Sequence, residues 1–481
     1  MRVDSDRSSL TFVKPFLYDH QQSELVLSRV RSVHVPARTG VMEVWERGAF
    51  PTDDFLHHIA QSLAPTDDSP AVAEKYLLTN RFLESEHGLA AKKGFLFQFK
   101  NQSTRIRLEE LQLILFRNGV GFVVQRWKVE SDKIEAWLDL QHFGRFAALE
   151  RGGVLRMPSP DGKSVRPFPQ PYLQTADDKS SSEQSTFAAI NHIALNSVGL
   201  GLNGPIPVQE VFLAGRSLPY TVLFLNETND SAWPREKVLY KLRRLFHAQQ
   251  AYYPTQEQVA ICPPNFHPYL QDQWFFQSLE GGGFVAIDPP IDPFFQKELP
   301  HHLENEYFVM FLLALQQRFS LMSLSNEVAQ RWKSNPAKQP ASELRVIFEQ
   351  IRDRLFDYTA HYHFVQVGQR QNHHHLYQLW QQTFQITDLY EEVNNEVREM
   401  NDYLNDRDKQ SRDNRLNLLT LLLTVFIGAP TLAISFWSMN IKGITTAEEG
   451  LLLSDAVSVV FRLSMVFALF FGLIWYLLRR K

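Results

Sequence analysis

From Leu416 to Ile441 the chain carries no ionisable side chain. The stretch is 26 residues long, and a helix needs about 20 to cross the hydrocarbon core of a bilayer. On a helix turning by about 100° per residue, Asn414, Asn417, Leu421, Thr424, Gly428, Thr431, Ser435 and Ser438 fall on one stripe. Seven of these eight are polar or glycine, and the rest of the span is mostly Leu, Ile, Val, Phe, Trp and Ala. Such a stripe is expected to face protein or water instead of lipid. Two readings fit it. One is helix packing, where small residues let backbones approach. The other is a pore lining, made by several copies of the helix around an axis.

Ser438-Met439-Asn440 end this span ahead of a short polar loop and a second apolar stretch, Ala456 to Leu478. The second stretch is 23 residues long with one charge, Arg462, and ends in Arg479-Arg480-Lys481. Arg407, Lys409, Arg412 and Arg415 precede the first span, whereas the loop carries Lys442 against Glu448 and Glu449. The positive-inside rule then places both termini in the cytoplasm. The N-terminal MRVDSDRSSL lacks the apolar core of a signal peptide, so the long N-terminal part is expected to stay cytoplasmic.

This end of the chain resembles the CorA metal-ion transporter family. In that family the first transmembrane helix ends in Gly-Met-Asn at the outer mouth, before a short loop and a second helix with a basic cytoplasmic end. Met439 and Asn440 match that motif, and Ser438 stands in place of the glycine. Pro430 is the counterpart of the family's proline, displaced by one residue. The resemblance implies a homopentamer with a cytoplasmic funnel and first spans lining a pore. It implies a divalent cation as the transported ion, either Mg²⁺ or a transition metal such as Zn²⁺, Co²⁺ or Ni²⁺. The implied partners are other copies of the chain, membrane lipid and divalent cations, in an inner or plasma membrane of bacterial type. Ser438, Met439 and Asn440 would form the selectivity mouth. Asn414, Asn417, Leu421, Thr424, Gly428, Thr431 and Ser435 would line the pore.

The chemistry is consistent with that expectation. Mg²⁺ prefers oxygen ligands and dehydrates reluctantly. A ring of Asn440 side chains offers neutral carbonyl oxygens to a hydrated ion. The first span also points its partially negative C-terminal end at the outer mouth. Both features favour cations, and Glu448 and Glu449 would attract them there. The alternative is a non-conducting membrane-anchored scaffold or signalling protein with a CorA-like fold. The polar stripe argues against it, because an anchor needs none.

Other classes find little support. A net charge of −4 gives no basic excess for nucleic acid. The single cysteine, Cys262, excludes an intrachain disulfide and CxxC metal sites. Gly281-Gly282-Gly283 lacks the P-loop lysine and the GxGxxG spacing, and reads as a loop glycine cluster ahead of a strand. Nucleophile-elbow, HExxH and kinase motifs are missing, so neither an enzyme nor a cofactor is expected. His301, His302, His361, His363 and the run His373 to His375 do not share one helical face, and read as solvated or core side chains.

In chain order, residues 1–300 read as a cytoplasmic α/β domain. Phe95–Lys100, Leu111–Phe116, Val120–Val129, Tyr220–Leu225 and Phe284–Ile287 are expected strands, and Asn118-Gly119 signals a hairpin. Ile134–Phe146 and Pro234–His247 are expected helices. Pro158–Thr186 reads as a long surface loop. Residues 301–415 read as a helical region and stalk, with a core helix around Tyr307–Leu315 running to about Gln330 and another over Ser342–Val367. The pattern stays helical from Leu376. Ile386, Tyr390, Val393, Val397, Met400 and Leu404 form a seam of alternating fours and threes. One helix is expected from Ile386 to Asn440, roughly 80 Å long. Its acids include Asp388, Glu391, Glu392, Glu396, Glu399 and Asp402, an excess that would concentrate cations. The expected fold is thus an α/β cytoplasmic domain, a long helical stalk and two C-terminal transmembrane helices. These helices are 416–440 and 456–478, joined by an external loop at 441–455, in a CorA-like homo-oligomeric funnel.

Overall fold

The computed structural model describes residues 1–37, 40–64, 70–79, 81–82, 94–99, 102–146, 153–158, 165–166, 187–201, 205–210, 215–227, 233–251, 255, 266–332 and 339–428, with 430, 431, 435, 458, 461, 462, 465, 466 and 469. The chain divides into two compact units, Met1–Ser334 with Glu349–Glu396, and Asn335–Phe348 with Val397–Lys481.

The strands are β1 (Arg2–Val3), β2 (Ser9–Leu17), β3 (His34–Ala37), β4 (Gly40–Glu43), β5 (Trp45–Gly48), β6 (Ala73–Leu78), β7 (Phe95–Phe99), β8 (Gln102–Phe116), β9 (Val120–Val129), β10 (Val154–Pro158), β11 (Val165–Arg166), β12 (Leu218–Asn226), β13 (Phe266–Leu270), β14 (Gln273–Ser278) and β15 (Gly281–Ile287). Among the described residues, all but β3 and β4 join one sheet with the main order β11-β10-β7-β8-β9-β2-β12-β15-β14-β13. Its pairings are antiparallel except for β12 with β15. The helices are α1 (Ser23–Ser32), α2 (His57–Leu63), α3 (Ile134–Phe143), α4 (Phe187–Ser197), α5 (Arg235–Arg244), α6 (Leu299–Glu304), α7 (Glu306–Arg331), α8 (Ala341–His361), α9 (Gln371–Thr383) and α10 (Ile386–Leu423).

Strands β2, β9, β12 and β15 are buried along nearly their whole length, as a sheet covered on both faces requires. Alternation along β9 sends Trp127 and Phe122 to opposite faces. Trp127 packs edge-on against Phe187 of α4, ring centroids 5.1 Å apart, and Phe12 meets the same ring at 5.2 Å. On the other face Phe122 lies 6.3 Å from Phe319 of α7, and Tyr220 lies 5.3 Å from both Phe308 and Phe311. Helix α7 forms the C-terminal part of Phe294–Arg331, the one helical stretch among the described residues long and apolar enough to cross a membrane. Because 78% of its apolar window is buried, it is a core helix, as the short apolar run at Tyr307–Leu315 suggests.

The Asn118-Gly119 hairpin joins β8 to β9 as expected. Gly119 has φ +92°, and a Cβ there would sit 2.5 Å from the Tyr18 carbonyl oxygen. Gly281 to Gly283 differ from expectation: they are the first residues of β15, not a loop. At Gly283 a Cβ would lie 1.8 Å from the Thr221 carbonyl oxygen, so the close approach of β15 to β12 needs glycine. Helix α3 stops at Phe143, short of Phe146, where Gly144 caps it. Helix α5 stops at Arg244 because Leu245 turns left-handed at φ +54°. Helix α8 ends at His361, not Val367. Pro158 closes β10 and Val165–Arg166 form β11, so part of the expected 158–186 loop is strand; the rest lies outside the described residues.

Candidate functional site

The helical pattern from Leu376 breaks once. Helix α9 ends at Thr383, and Gln385 takes φ +54°. This turn carries no glycine or proline to mark it. Helix α10 then begins at Ile386, where the seam begins. In the first unit Ile386 and Val393 are buried, and Tyr390 stacks on Tyr358 and His363 at 6.4 and 5.4 Å. In the second unit Val397, Met400 and Leu404 are buried, and Arg345 of α8 pairs with Asp408.

Beyond that point the helix changes character. Every residue from Lys409 to Thr420 is exposed. Past Arg415 the exposed side chains are largely apolar: Leu416 is 60% exposed, Leu419 54%, Leu423 57% and Phe426 72%. A helix apolar nearly all round is stable only when something other than water covers it. Among the described residues of the second apolar stretch, Phe461, Met465, Val466 and Leu469 are exposed in the same way.

The stripe residues divide by position. Asn414, Asn417 and Thr424 are exposed, and Leu421 and Gly428 are half-buried. Thr424 Oγ1 donates to the Thr420 carbonyl at 2.8 Å, and Thr431 Oγ1 to the Ile427 carbonyl at 2.6 Å. With their protons so engaged, both hydroxyls offer lone pairs to anything else that approaches. The α-helix widens to a π-helix over Thr424–Gly428, directly ahead of Pro430. Proline lacks an N–H, and its ring collides with the carbonyl four residues earlier, here Phe426. An i→i+5 turn advances less per residue than an α turn. Thr431 and Ser435 are therefore rotated from the line through Asn414, Asn417 and Leu421. Ser438, Met439, Asn440, Glu448 and Glu449 lie outside the described residues.

The histidines are dispersed. His361 pairs with Asp357 at 2.9 Å and His302 with Glu306 at 3.1 Å. His373 is buried with its ring edge-on to Tyr307 at 4.8 Å, whereas His375 is exposed and meets His267 at 4.3 Å. Among the described residues no three His, Cys, Asp or Glu side chains gather to hold a metal.

Comparison with known proteins gives one family. The family model described as CorA-like Mg²⁺ transporter protein matches residues 325–480, less than half of the chain. No curated protein matches. Among solved structures, "The complete structure of CorA magnesium transporter from Methanocaldococcus jannaschii" aligns with 57% of this chain and 94% of its own, at 13% identity and a TM-score of 0.21. That superposition is too loose to show a shared fold. Over residues 325–480, which hold α8, α9 and α10, the chain is similar to the CorA-like Mg²⁺ transporter family.

Proposed function

We propose that the chain transports divalent cations through a pore that its first C-terminal span lines in a homo-oligomer, a pentamer as the family resemblance implies. In this reading residues 416–440 and 456–478 cross the membrane, both termini are cytoplasmic, and the transported ion is the only metal required. The protein is a transporter and not an enzyme. Mg²⁺ is the first candidate ion, with Zn²⁺, Co²⁺ and Ni²⁺ as the others.

The observation that carries the reading is the passage of α10 from a buried seam to a largely exposed apolar stretch with a polar stripe. Lipid covers the apolar flanks, and other copies of the same helix cover the stripe. Threonine hydroxyls whose protons are spent on their own backbone present oxygen lone pairs, which suit a hydrated cation and not an anion. Neutral Asn, Thr and Ser give weak contacts in series, so an ion is passed on and not trapped. Asn440, with Ser438 and Met439, forms the outer oxygen-lined mouth, and Glu448 and Glu449 draw cations towards it.

Leu421 is the first apolar ring after the two polar rings of Asn414 and Asn417. An apolar ring closes a pore by dewetting, and α10 links this ring directly to the helical region behind it. Leu421→Ser is expected to wet the constriction and raise basal cation flux several-fold. Asn440→Ala is expected to abolish or strongly alter flux while leaving assembly intact. Both are read by cation uptake into vesicles beside a size measurement of the purified variant. Parental flux and selectivity in both variants would remove these residues from the pore.

A further inference from the structure

A cavity of about 660 Å³ opens in the first unit. Its polar wall comes from four separate segments: Arg145 just past α3, Arg243 and Arg244 at the end of α5, Gln277 in β14, and Gln382 and Thr383 at the end of α9. Leu245, Phe246 and Leu379 add an apolar side. The left-handed turn at Leu245 ends α5 at this point.

The wall is basic. Glu280 is the only acid in it, and Arg145 and Arg216 already engage its carboxylate. Arg243 and Arg244 are in no ion pair among the described residues. Three buried donor atoms on these side chains lack an acceptor: Nε of Arg145, Nε of Arg243 and Nε2 of Gln277. The Gln277 amide is held in place, because its oxygen accepts from Thr383 Oγ1 at 3.1 Å. Native proteins seldom leave buried donors unmatched, and each such group calls for a partner. Burial lowers the pKa of Arg145 and of Arg243, and repulsion from Arg216 and Arg244 respectively adds to it. Glu280 offsets this at Arg145; guanidinium groups stay protonated despite such shifts, so the cavity wall keeps its positive charge.

We propose that this cavity binds a small phosphate-bearing anion of nucleotide size. Several guanidiniums converging on one space match a group with more than one negative charge, and the guanidinium fork pairs phosphate oxygens two at a time. The volume falls within the range of small-molecule sites, roughly 300–1,000 Å³. The apolar side next to the arginines leaves room for a base or another flat apolar group.

Titration calorimetry on the full chain in detergent, without divalent cations, tests this with two probes, ATP and inorganic tripolyphosphate. Saturable binding is expected for ATP, weakened tenfold or more by Arg243→Gln and by Arg244→Gln. Arg105→Gln on β8, which removes one positive charge outside the cavity, should leave it unchanged. Neither Arg243 nor Arg244 makes an ion pair, so both variants are expected to fold; an unchanged thermal unfolding midpoint verifies this. Equal binding of tripolyphosphate assigns recognition to the phosphates, and preference for ATP assigns a share to the apolar side. Absence of binding by both probes at millimolar concentration would overturn the proposal. So would binding that both cavity variants leave intact.

Discussion

Glu74 holds one carboxylate against three guanidiniums. Its side chain is 2% exposed, accepts from Arg31 at 2.5 Å and from the Tyr76 hydroxyl at 2.6 Å, and faces Arg117 at 3.4 Å and Arg47 at 3.5 Å. Removing one partner of a buried charge cluster costs about 3 kcal/mol or more. Glu74→Ala is therefore expected to lower the thermal unfolding midpoint by several degrees, and an unchanged midpoint would show that water replaces the carboxylate without penalty. His142 sets a pH dependence. Its Nδ1 donates to the Leu245 carbonyl at 2.5 Å, and burial lowers its pKa to about 4. The unfolded chain binds this proton near pH 6.5 and the folded chain only near 4. Stability from His142 is thus fully present above about pH 6.5 and is lost as pH falls towards 4, on the order of 3 kcal/mol. Unfolding midpoints measured across this window should flatten in His142→Gln; an equally steep slope would assign the effect to other groups. These residue-scale features were not legible in the sequence. Arg145, Arg243 and Gln277 come from distant segments, and no local motif ties Glu74 to Arg31 and Arg117. The stripe, by contrast, was read from residues three or four apart in one segment.

Helix α10 is the element on which the proposed function turns. Its seam was largely readable: the helix starts at Ile386, and Ile386, Val393, Val397, Met400 and Leu404 are buried as their spacing implies, whereas Tyr390 is half-buried. The hairpin at Asn118-Gly119 was readable too, since its turn chemistry is local. Other elements were not. Strand β2 contains Lys14 and Pro15, which mask its pattern, yet it lies in the middle of the sheet. The turn at Gln385 uses a residue that does not usually adopt positive φ. The π-helix at Thr424–Gly428 shifts the stripe in a way that uniform 100° stepping misses. Cysteine crosslinking tests what the stripe faces. With Cys262 replaced by serine, Thr424→Cys and Thr431→Cys should join subunits on oxidation. Leu419→Cys, roughly opposite Leu421 at 100° per residue, should not. Crosslinks from Leu419 or from Phe461 of the second stretch in their place would invert the arrangement.

At the scale of the whole molecule, the α/β character of the N-terminal part was readable from its strands and helices, but its sheet order was not. Strand β2 lies between β9 and β12, so Phe12 pairs with Gln125 on one side and Pro219 on the other. Contacts across more than a hundred residues leave no periodic trace in either segment. The reading of 416–440 as a membrane span rests on a local signal instead: lipid acts on each residue of a span independently, and a run without charge is what it selects. The most direct measurement is divalent cation uptake by the purified full chain in proteoliposomes, followed with an entrapped Mg²⁺-sensitive dye and repeated with Zn²⁺, Co²⁺ and Ni²⁺. Saturable uptake of at least one of these ions is expected, increased by Leu421→Ser and suppressed or altered in selectivity by Asn440→Ala. Uptake no greater than that of empty vesicles, from protein shown to be folded and inserted, would contradict transport and leave a membrane-anchored protein of another kind.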